Sequence, residues 1–283
     1  MTNGDESRDA KAGVVGWPIS HSLSPAIHGF WLKKYRLSGS YAALGIRPGD
    51  FDRKFSALRE QGFAGVNVTI PFKERVLEHA AEITPAARDT GAANTLTFRK
   101  DGTIHADNTD IAGFARLVKS AAPDWKGRDG PVVVMGAGGA ARAVVWSLLA
   151  EKVPRVFIVN RTVSKAETLC AHFGNRLEVA SPGELRGIGR KVTMIVNTTS
   201  LGMKGQPDLA VEFEPGMRSA IVVDIVYNPL KTGFLKAAER NGNRIVTGLG
   251  MLLHQAAPGF ERWFGVSPEV DSELHETIAR KLR

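Results

Sequence analysis

A lysine and an aspartate in the first part of the chain are candidates for a proton-transfer pair. Lys73 follows the predicted strand AGVNVTI and lies just inside a helix predicted to start at Pro71. A lysine near a helix N-terminus holds its proton less tightly, because the helix dipole is positive there. Asp110 could face Lys73 and complete a proton relay. The alternatives are an ordinary solvated lysine and an aspartate that only caps the next helix.

Other polar residues of the same region could bind an anionic, hydroxylated ligand. Ser22 and Ser24 place hydroxyls two residues apart, where both could donate to one carboxylate, although Ser24 could instead be a helix N-cap. Asn67 and Thr69 point to one face of a predicted strand. Asn94 begins a predicted hairpin. These residues are candidate substrate ligands.

A glycine-rich turn between an apolar strand and an apolar helix indicates a dinucleotide site. It matches the pattern G-x-G-x-x-G/A over Gly136, Ala137, Gly138, Gly139, Ala140 and Ala141. Gly136 permits a tight turn, Gly138 lets the backbone approach a pyrophosphate, and Ala141 lets the helix pack close to the strand. The free N–H groups of the helix N-terminus then face the phosphates.

The end of the following strand favours NADP over NAD. NAD sites usually carry an acidic residue here, which binds the ribose 2′-hydroxyl. This chain has no acid from Pro154 through Ala166 and instead has Asn160, Arg161, Thr162 and Lys165. Arg161 and Lys165 could hold a 2′-phosphate. The alternative is that Arg161 is a solvated loop residue.

Two α/β domains must position these residues. Short apolar strands recur after the glycine turn at 156–159, 192–196, 221–225 and 244–246, with helical stretches between them. This series predicts a Rossmann-type, doubly wound parallel sheet. The N-terminal part also alternates strands and helices, and it ends in the hairpin NTLTFR–TIHADN. It has no glycine-rich phosphate loop.

We therefore predict a substrate-binding and catalytic domain, residues 1–109 plus 248–283, and an NADP-binding domain, residues 110–247. The closing helical segments would pack back on the first domain and leave an active-site cleft between the two. Ligands of such folds bind beyond the carboxyl ends of the strands.

Composition narrows the class of protein. The single cysteine, Cys170, excludes an internal disulfide, favours a reducing compartment and leaves no cysteine-rich zinc site, so we expect no metal. No apolar run reaches the length of a membrane span, and we expect a cytoplasmic protein. The net charge of +8 is scattered, which favours anionic small molecules over nucleic acid. Either a monomer or a homodimer is compatible with the sequence.

Nine ordered strings resemble the shikimate dehydrogenase family. They are GWPISHSLSPAIH, GVNVTIPFKE, GAANTL, DNTDIAGF, GAGGAARA, NRTVSKA, NTTSLGM, DIVYNPLKT and GLGMLLHQA. The resemblance covers nearly everything from Gly13 to the last helix. The resemblance implies reversible NADPH-dependent reduction of 3-dehydroshikimate to shikimate in aromatic amino-acid biosynthesis.

The resemblance also implies roles for individual residues. Lys73 and Asp110 would be the catalytic pair and would bind the ring hydroxyls together with Thr69 and Asn94. The remaining substrate contacts would come from Ser22, Ser24, Tyr227 and Gln255. Residues 136–141 would hold the pyrophosphate, and the 2′-phosphate would lie among Asn160, Arg161, Thr162 and Lys165. The nicotinamide would be lined by Thr198, Met203 and Gly248.

Alternatives remain at this stage. Tyr227 could only pack against its strand, and the stretch around Thr198 could be turn chemistry alone. A quinate or aminoshikimate dehydrogenase that uses NAD, or a silent NADP-binding regulator, would share most of these motifs. Two residues depart from the family pattern: Lys165 stands where a second arginine is frequent, and Trp17 where asparagine is common. We draw no functional conclusion from Trp17 on sequence alone.

Overall fold

The computed structural model describes residues 9–188 and 190–282 of the 283-residue chain. The first eight residues of the predicted substrate-binding domain lie outside this range. The chain divides into two compact units. The first comprises the described residues of Met1–Gly113 together with Leu253–Ile278, and the second comprises Phe114–Leu252 together with those of Ala279–Arg283.

Twelve strands occur in the described part of the chain and form two six-stranded sheets. Their bounds are β1 Lys11–Gly16, β2 Ser40–Gly45, β3 Phe63–Val68, β4 Glu82–Ile83, β5 Thr95–Phe98, β6 Ile104–Asp107, β7 Val132–Met135, β8 Val156–Val159, β9 Leu177–Val179, β10 Met194–Asn197, β11 Ile221–Asp224 and β12 Ile245–Val246.

The helices are α1 Ser24–Lys34, α2 Phe51–Glu60, α3 Pro85–Thr90, α4 Asp110–Ala121, α5 Gly139–Ala150, α6 Val163–Phe173, α7 Leu185–Ile188, α8 Gly233–Asn241, α9 Leu249–Phe264 and α10 Ser272–Arg280. Within residues 9–188 and 190–282, none of them combines the length and the apolar character that crossing a membrane requires.

The sheet of the first unit is mixed, in the order β2-β1-β3-β5-β6-β4. Strand β1 runs parallel to β2 and β3, whereas β5 runs antiparallel to β3 and β6. The antiparallel pair β5–β6 confirms the predicted hairpin. Helix α2 shows why such segments fold as they do: Phe51, Phe55 and Leu58 lie on one helical face and are all buried in the core.

The start of α1 differs from its prediction. Ser24 was a possible N-cap of this helix, but Leu23 occupies the N-cap position and makes no side-chain cap bond, while Ser24 is the first helical residue. Ser24 is buried, and its N–H donates to the Ser22 hydroxyl at 3.3 Å. Its side chain therefore does not serve as the N-cap of α1.

The predicted helix starting at Pro71 is wrong, and so is the argument that its dipole acts on Lys73. Lys73 lies in a turn, followed by a short 3₁₀ helix, Arg75–His79. The physical reason is hydrogen bonding. The carbonyl of Lys73 accepts from the N–H of Ala93, 2.7 Å away, and the N–H of Leu77 bonds to Glu74 instead. An α-helix would require the Lys73 carbonyl to accept from Leu77.

The second unit contains a parallel sheet in the order β12-β11-β10-β7-β8-β9. Counted within this unit, the order is 3-2-1-4-5-6 read from the β9 edge, which is the doubly wound order of dinucleotide-binding folds. Val132, Val133 and Val134 of the central strand β7 are completely buried, as expected for a strand that is covered on both faces. The predicted Rossmann-type sheet is confirmed.

Candidate active site

Lys73 and Asp110 form an ion pair in the first unit. Their side chains are only 13% and 5% exposed. The Lys73 ammonium bonds to Oδ2 of the carboxylate, and Oδ1 accepts from Asn94 Nδ2 at 2.8 Å. Asp110 is the first residue of α4, and its carboxylate is engaged by Lys73 and Asn94. The structure therefore brings together a buried ammonium and a carboxylate, as a proton-transfer pair requires.

Asn94 is the centre of the hydrogen-bond network around this pair. Its Nδ2 also donates to Gln255 Oε1 at 3.1 Å, and its Oδ1 accepts from the N–H of Thr109 at 2.7 Å. The Thr109 hydroxyl lies 2.8 Å from the carbonyl of Gln255. Three segments thus meet at one buried amide, which fixes the orientation of Asp110.

Helix α9, which carries Gln255, is tied to the sheet at two further points. Arg262 Nη2 lies 2.5 Å from Asp107 Oδ2, and Trp263 Nε1 donates to the carbonyl of Leu96 at 3.0 Å. Two hydrogen bonds, from the Thr84 hydroxyl and from Arg262, lower the pKa of Asp107 although burial opposes them. The pairing of Arg262 with Asp107 was not predicted from the sequence, because it spans 155 residues.

A second network supports Asn67. The Tyr41 hydroxyl donates to Asn67 Oδ1 at 2.7 Å, and Asn67 Nδ2 donates to the carbonyl of Asn94 at 3.1 Å. The ring of His28 stacks on Tyr41 with centroids 3.8 Å apart. Burial lowers the pKa of His28 to about 3, which keeps the ring neutral. Sequence reasoning missed Tyr41 and His28, although His28 ends the first matching string.

Ser22 and Thr69 lie on two loops that follow the adjacent parallel strands β1 and β3. The Ser22 hydroxyl accepts from the N–H of Ser24 at 3.3 Å, and the N–H of Thr69 donates to Val15 at 2.9 Å. A Cβ on Gly16 would lie 2.5 Å from the Thr69 methyl group, so the two loops pack directly against each other. Both residues are half-buried.

The glycine turn of the second unit has the shape that a phosphate site requires. Gly136 has φ +111°, and a Cβ there would lie 2.5 Å from the Thr198 hydroxyl. At Gly138 a Cβ would meet nothing within 4 Å, so the backbone is open to a ligand. Helix α5 starts at Gly139 without an acidic residue in its first turn, and Ala141 is buried in the core. A pyrophosphate fits this cradle.

The loop after β8 and the first turn of α6 present two cations to solvent. The side chains of Arg161 and Lys165 are exposed, and within the described ranges neither forms an ion pair. Asn160 Nδ2 donates to the carbonyl of Thr162 at 2.8 Å, which closes the loop between them. In register, Val159 pairs with Met135 of β7, so this loop and the glycine turn leave the same edge of the sheet. Arg161 and Lys165 are therefore available to a phosphate beyond that edge.

Four further predicted residues lie at the same edge. Thr198 follows β10, and its hydroxyl donates to the carbonyl of Met135 at 2.7 Å. Gly248 packs so closely on the carbonyl of Ile225 that no side chain would fit. Met203 and Tyr227 are half-buried on the loops after β10 and β11. These loops are linked by the 2.9 Å bond between the Lys204 N–H and the Asn228 carbonyl.

Asp224 connects these loops and was not predicted as a site residue. It is completely buried at the end of β11 and accepts hydrogen bonds from Asn197 Nδ2, the Val226 N–H and the Thr232 hydroxyl, at 2.9, 2.9 and 2.6 Å. Burial raises its pKa to about 6, although these bonds act in the opposite direction. The sequence signal was an acid at the end of an otherwise apolar strand.

Asp224 should give the stability of the protein a pH dependence. The carboxyl has an ordinary pKa of 3.8 and a folded-state pKa of about 6, so the folded state holds the proton more tightly than the unfolded chain. The resulting stabilisation is complete below pH 3.8 and is lost as the pH rises through about 6, a change of about 3 kcal/mol. We expect the unfolding free energy of the protein to fall by up to this amount relative to Asp224→Asn. Urea denaturation of both proteins across this pH range tests this, and parallel pH profiles would contradict it.

Family models match three parts of the chain. Residues 14–96 match the shikimate dehydrogenase substrate binding domain, residues 116–225 match shikimate / quinate 5-dehydrogenase, and residues 248–272 match the shikimate 5′-dehydrogenase C-terminal domain. A curated relative from Cereibacter sphaeroides, named shikimate dehydrogenase (NADP(+)), is 50% identical over 267 residues, which are 94% of this chain and 96% of the relative.

Solved structures agree with these matches. A shikimate dehydrogenase in complex with NADP+ superposes with a TM-score of 0.86 and 32% identity, covering 100% of this chain and 98% of the other. A quinate dehydrogenase from Corynebacterium glutamicum in complex with NAD gives a TM-score of 0.85 and 28% identity, covering 96% and 99%. Because the family models match most of the chain and the curated relative covers nearly all of it, this chain belongs to the shikimate dehydrogenase family.

Proposed function

We propose that this protein catalyses the reversible, NADP-dependent reduction of 3-dehydroshikimate to shikimate, a step of chorismate and aromatic amino-acid biosynthesis. A relative with that name and cofactor is 50% identical over 94% of the chain. The observation that carries the proposal is the buried Lys73–Asp110 pair, which Asn94 joins to Gln255. An ammonium held in this way can exchange a proton with a hydroxyl or carbonyl oxygen of the substrate.

The chemistry divides between two kinds of group. Reduction of a carbonyl needs a hydride and a proton, and NADPH, when bound, supplies the hydride. The proton is assigned to the Lys73–Asp110 pair, and Asn94 holds the Asp110 carboxylate in place through a 2.8 Å bond. Because both side chains are nearly excluded from solvent, the proton passes between the pair and the substrate rather than to bulk water.

The remaining substrate contacts follow the same assignment. The half-buried Ser22 hydroxyl, which accepts from the Ser24 N–H at 3.3 Å, and the Ser24 hydroxyl are assigned to the substrate carboxylate. Tyr227 is also assigned to substrate binding. The ring hydroxyls are assigned to Thr69, Asn94, Lys73, Asp110 and Gln255. Asn67 supports this group through its bonds to Asn94 and Thr95.

The cofactor assignment rests on the second unit. The open backbone at Gly138 and the start of α5 suit the pyrophosphate, with Gly136, Ala137, Gly139, Ala140 and Ala141 completing the turn. Arg161 and Lys165, together with Asn160 and Thr162, suit the 2′-phosphate that distinguishes NADP from NAD. Thr198, Met203 and Gly248 are assigned to the nicotinamide.

The domain roles and the setting of the protein belong to the same proposal. We assign residues 1–109 with 248–283 to substrate binding and catalysis, together with Asp110, which belongs to the first unit, and the remainder of residues 110–247 to NADP binding. The match of residues 14–96 to a substrate binding domain supports the first assignment. As a biosynthetic enzyme with one cysteine, it is placed in the cytoplasm, as a monomer or homodimer.

A quinate dehydrogenase that uses NAD is the second candidate, because such a protein has a TM-score of 0.85 to this chain. Steady-state assays with shikimate and quinate, each with NADP+ and NAD+, separate the two. We expect kcat/KM to be highest for shikimate with NADP+, since Arg161 and Lys165 are free to bind a 2′-phosphate. A higher kcat/KM for quinate with NAD+ would overturn the proposal.

A further inference from the structure

We propose that Arg47, held against the indole ring of Trp17, attracts the carboxylate of the incoming substrate and so determines selectivity for an anionic ligand. The Arg47 guanidinium lies over the ring, 5.4 Å from its centroid, in the range of a cation–π contact. Trp17 remains 41% exposed although it is large and apolar. The inference rests on the proposed function, because it takes the substrate to be a carboxylate.

Strand register places the pair at the edge of the sheet that carries the substrate residues. Gly16 and Gly45 are partners in the parallel strands β1 and β2, and the N–H of Ile46 donates to Gly16 at 3.2 Å. Trp17 and Arg47 follow these strand ends directly. The N–H of Trp17 donates to the carbonyl of Ile70 at 3.0 Å, and Ile70 is the residue after Thr69. The pair therefore borders the loop that presents Thr69.

The loop that carries Arg47 is also anchored to the segment after Lys73. Arg75 Nη1 donates to the carbonyl of Pro48 at 3.1 Å. The same guanidinium is paired with Asp52 and lies over the ring of Phe51, 5.3 Å from its centroid. Its charge is thus already compensated, and its role is to hold the loop. Arg47 is kept near the substrate side chains by contacts on both sides.

The charge of Arg47 is not compensated in the way that the charges of the neighbouring cations are. Arg53 and Lys54 pair with Asp50, and Arg75 pairs with Asp52. Among the residues that the structure describes, no carboxylate pairs with Arg47, which is exposed. A cation that is positioned by an aromatic ring but not neutralised raises the local concentration of anions. Lys73 cannot contribute much to this field, because Asp110 neutralises it.

A purely structural role for the pair predicts something different. If Arg47 served only to cover the indole ring, its replacement would change stability slightly and would affect charged and uncharged substrates alike. The comparison between shikimate and its uncharged methyl ester therefore separates the two roles. The wild-type enzyme must first turn over shikimate, and failure there would refute the proposed function rather than this inference.

The test measures kcat and KM of Arg47→Gln at low and high ionic strength. We expect kcat/KM for shikimate to fall about threefold at low salt through KM, an effect of one charge across several ångströms of solvent, with kcat unchanged. High salt should remove the difference, and kcat/KM for the methyl ester should not change. The control Lys33→Gln removes an equal charge from the exposed side of α1 and should match the wild type.

Trp17→Leu tests the positioning half of the inference. It removes the π face but keeps an apolar side chain, and we expect kcat/KM for shikimate to fall in the same direction as in Arg47→Gln. Because Trp17 acts through Arg47, the double variant should lose no more than Arg47→Gln alone. An unchanged KM for shikimate in Arg47→Gln, or equal losses for acid and ester, would overturn the inference.

Discussion

Replacing Lys73 by alanine should lower kcat for shikimate oxidation by at least about 100-fold, the lower range of general acid–base catalysis. The side chain that holds the proton would be absent, and the Asp110 carboxylate would keep the bond from Asn94 but lose its counter-charge. Binding of NADPH, measured by fluorescence titration, should be unaffected because the cofactor residues belong to the second unit. A loss of only a few-fold would show that Lys73 does not carry the proton.

This experiment must distinguish a loss of catalytic activity from a loss of folding stability. Removing one partner of a buried ion pair costs about 3–5 kcal/mol, because the other charge is left uncompensated. The double variant Lys73→Met/Asp110→Asn replaces both charges with neutral groups of similar size, so it should regain most of the melting temperature but none of the activity. Lys54→Ala, on the exposed side of α2, should keep both, which makes it the matched control.

Replacing Arg161 by alanine should weaken NADPH binding by about 10- to 100-fold, the equivalent of one or two charge-assisted hydrogen bonds to a phosphate. The affinity for NADH should change less than about twofold, because NADH lacks the 2′-phosphate and an exposed, unpaired arginine contributes little else. The dissociation constants of both cofactors, measured by fluorescence titration, give the comparison. Equal losses for the two cofactors would show that Arg161 does not bind the 2′-phosphate.

Arg155 provides the matched control for this prediction. Arg155 precedes β8, whereas Arg161 follows the opposite end of the same strand. Arg155 pairs with Glu178 on the neighbouring strand. The carboxyl end of a parallel strand faces the ligand and the amino end does not. Arg155→Ala should therefore leave both dissociation constants unchanged, although it removes the same charge from the same strand.

The sequence predicted the second unit well because its signals are local. A strand covered on both faces must be apolar throughout, as Val132, Val133 and Val134 are. Gly136 is required by its positive φ and by the contact with Thr198. Such requirements act on neighbouring residues, so the doubly wound parallel sheet and the turn between β7 and α5 could be predicted without a structure.

The first unit was harder to predict because its decisive contacts are distant in sequence. The periodicity of PFKERVLEHAA favours a helix. The N–H of Ala93, however, donates to the Lys73 carbonyl, and this bond replaces the one that an α-helix would need there. Asn94 could be recognised as a polar residue at a strand end. Its hydrogen bonds to Asp110 and Gln255, which are 16 and 161 positions away in the sequence, could not be predicted. In the second unit, Asp224 likewise could not be distinguished from any other acidic residue at a strand end, because its three hydrogen-bond donors are known only from the structure.

The division of the first unit between the two ends of the chain has a consequence for biosynthesis. Asn94, Asp107 and Leu96 obtain their partners from α9, at Gln255, Arg262 and Trp263. Translation reaches these partners only after every strand of the second unit has been made. The ribosome therefore delivers a complete nucleotide-binding sheet before the substrate site can close, and a nascent chain must keep the apolar side of its first sheet covered until its last helices emerge.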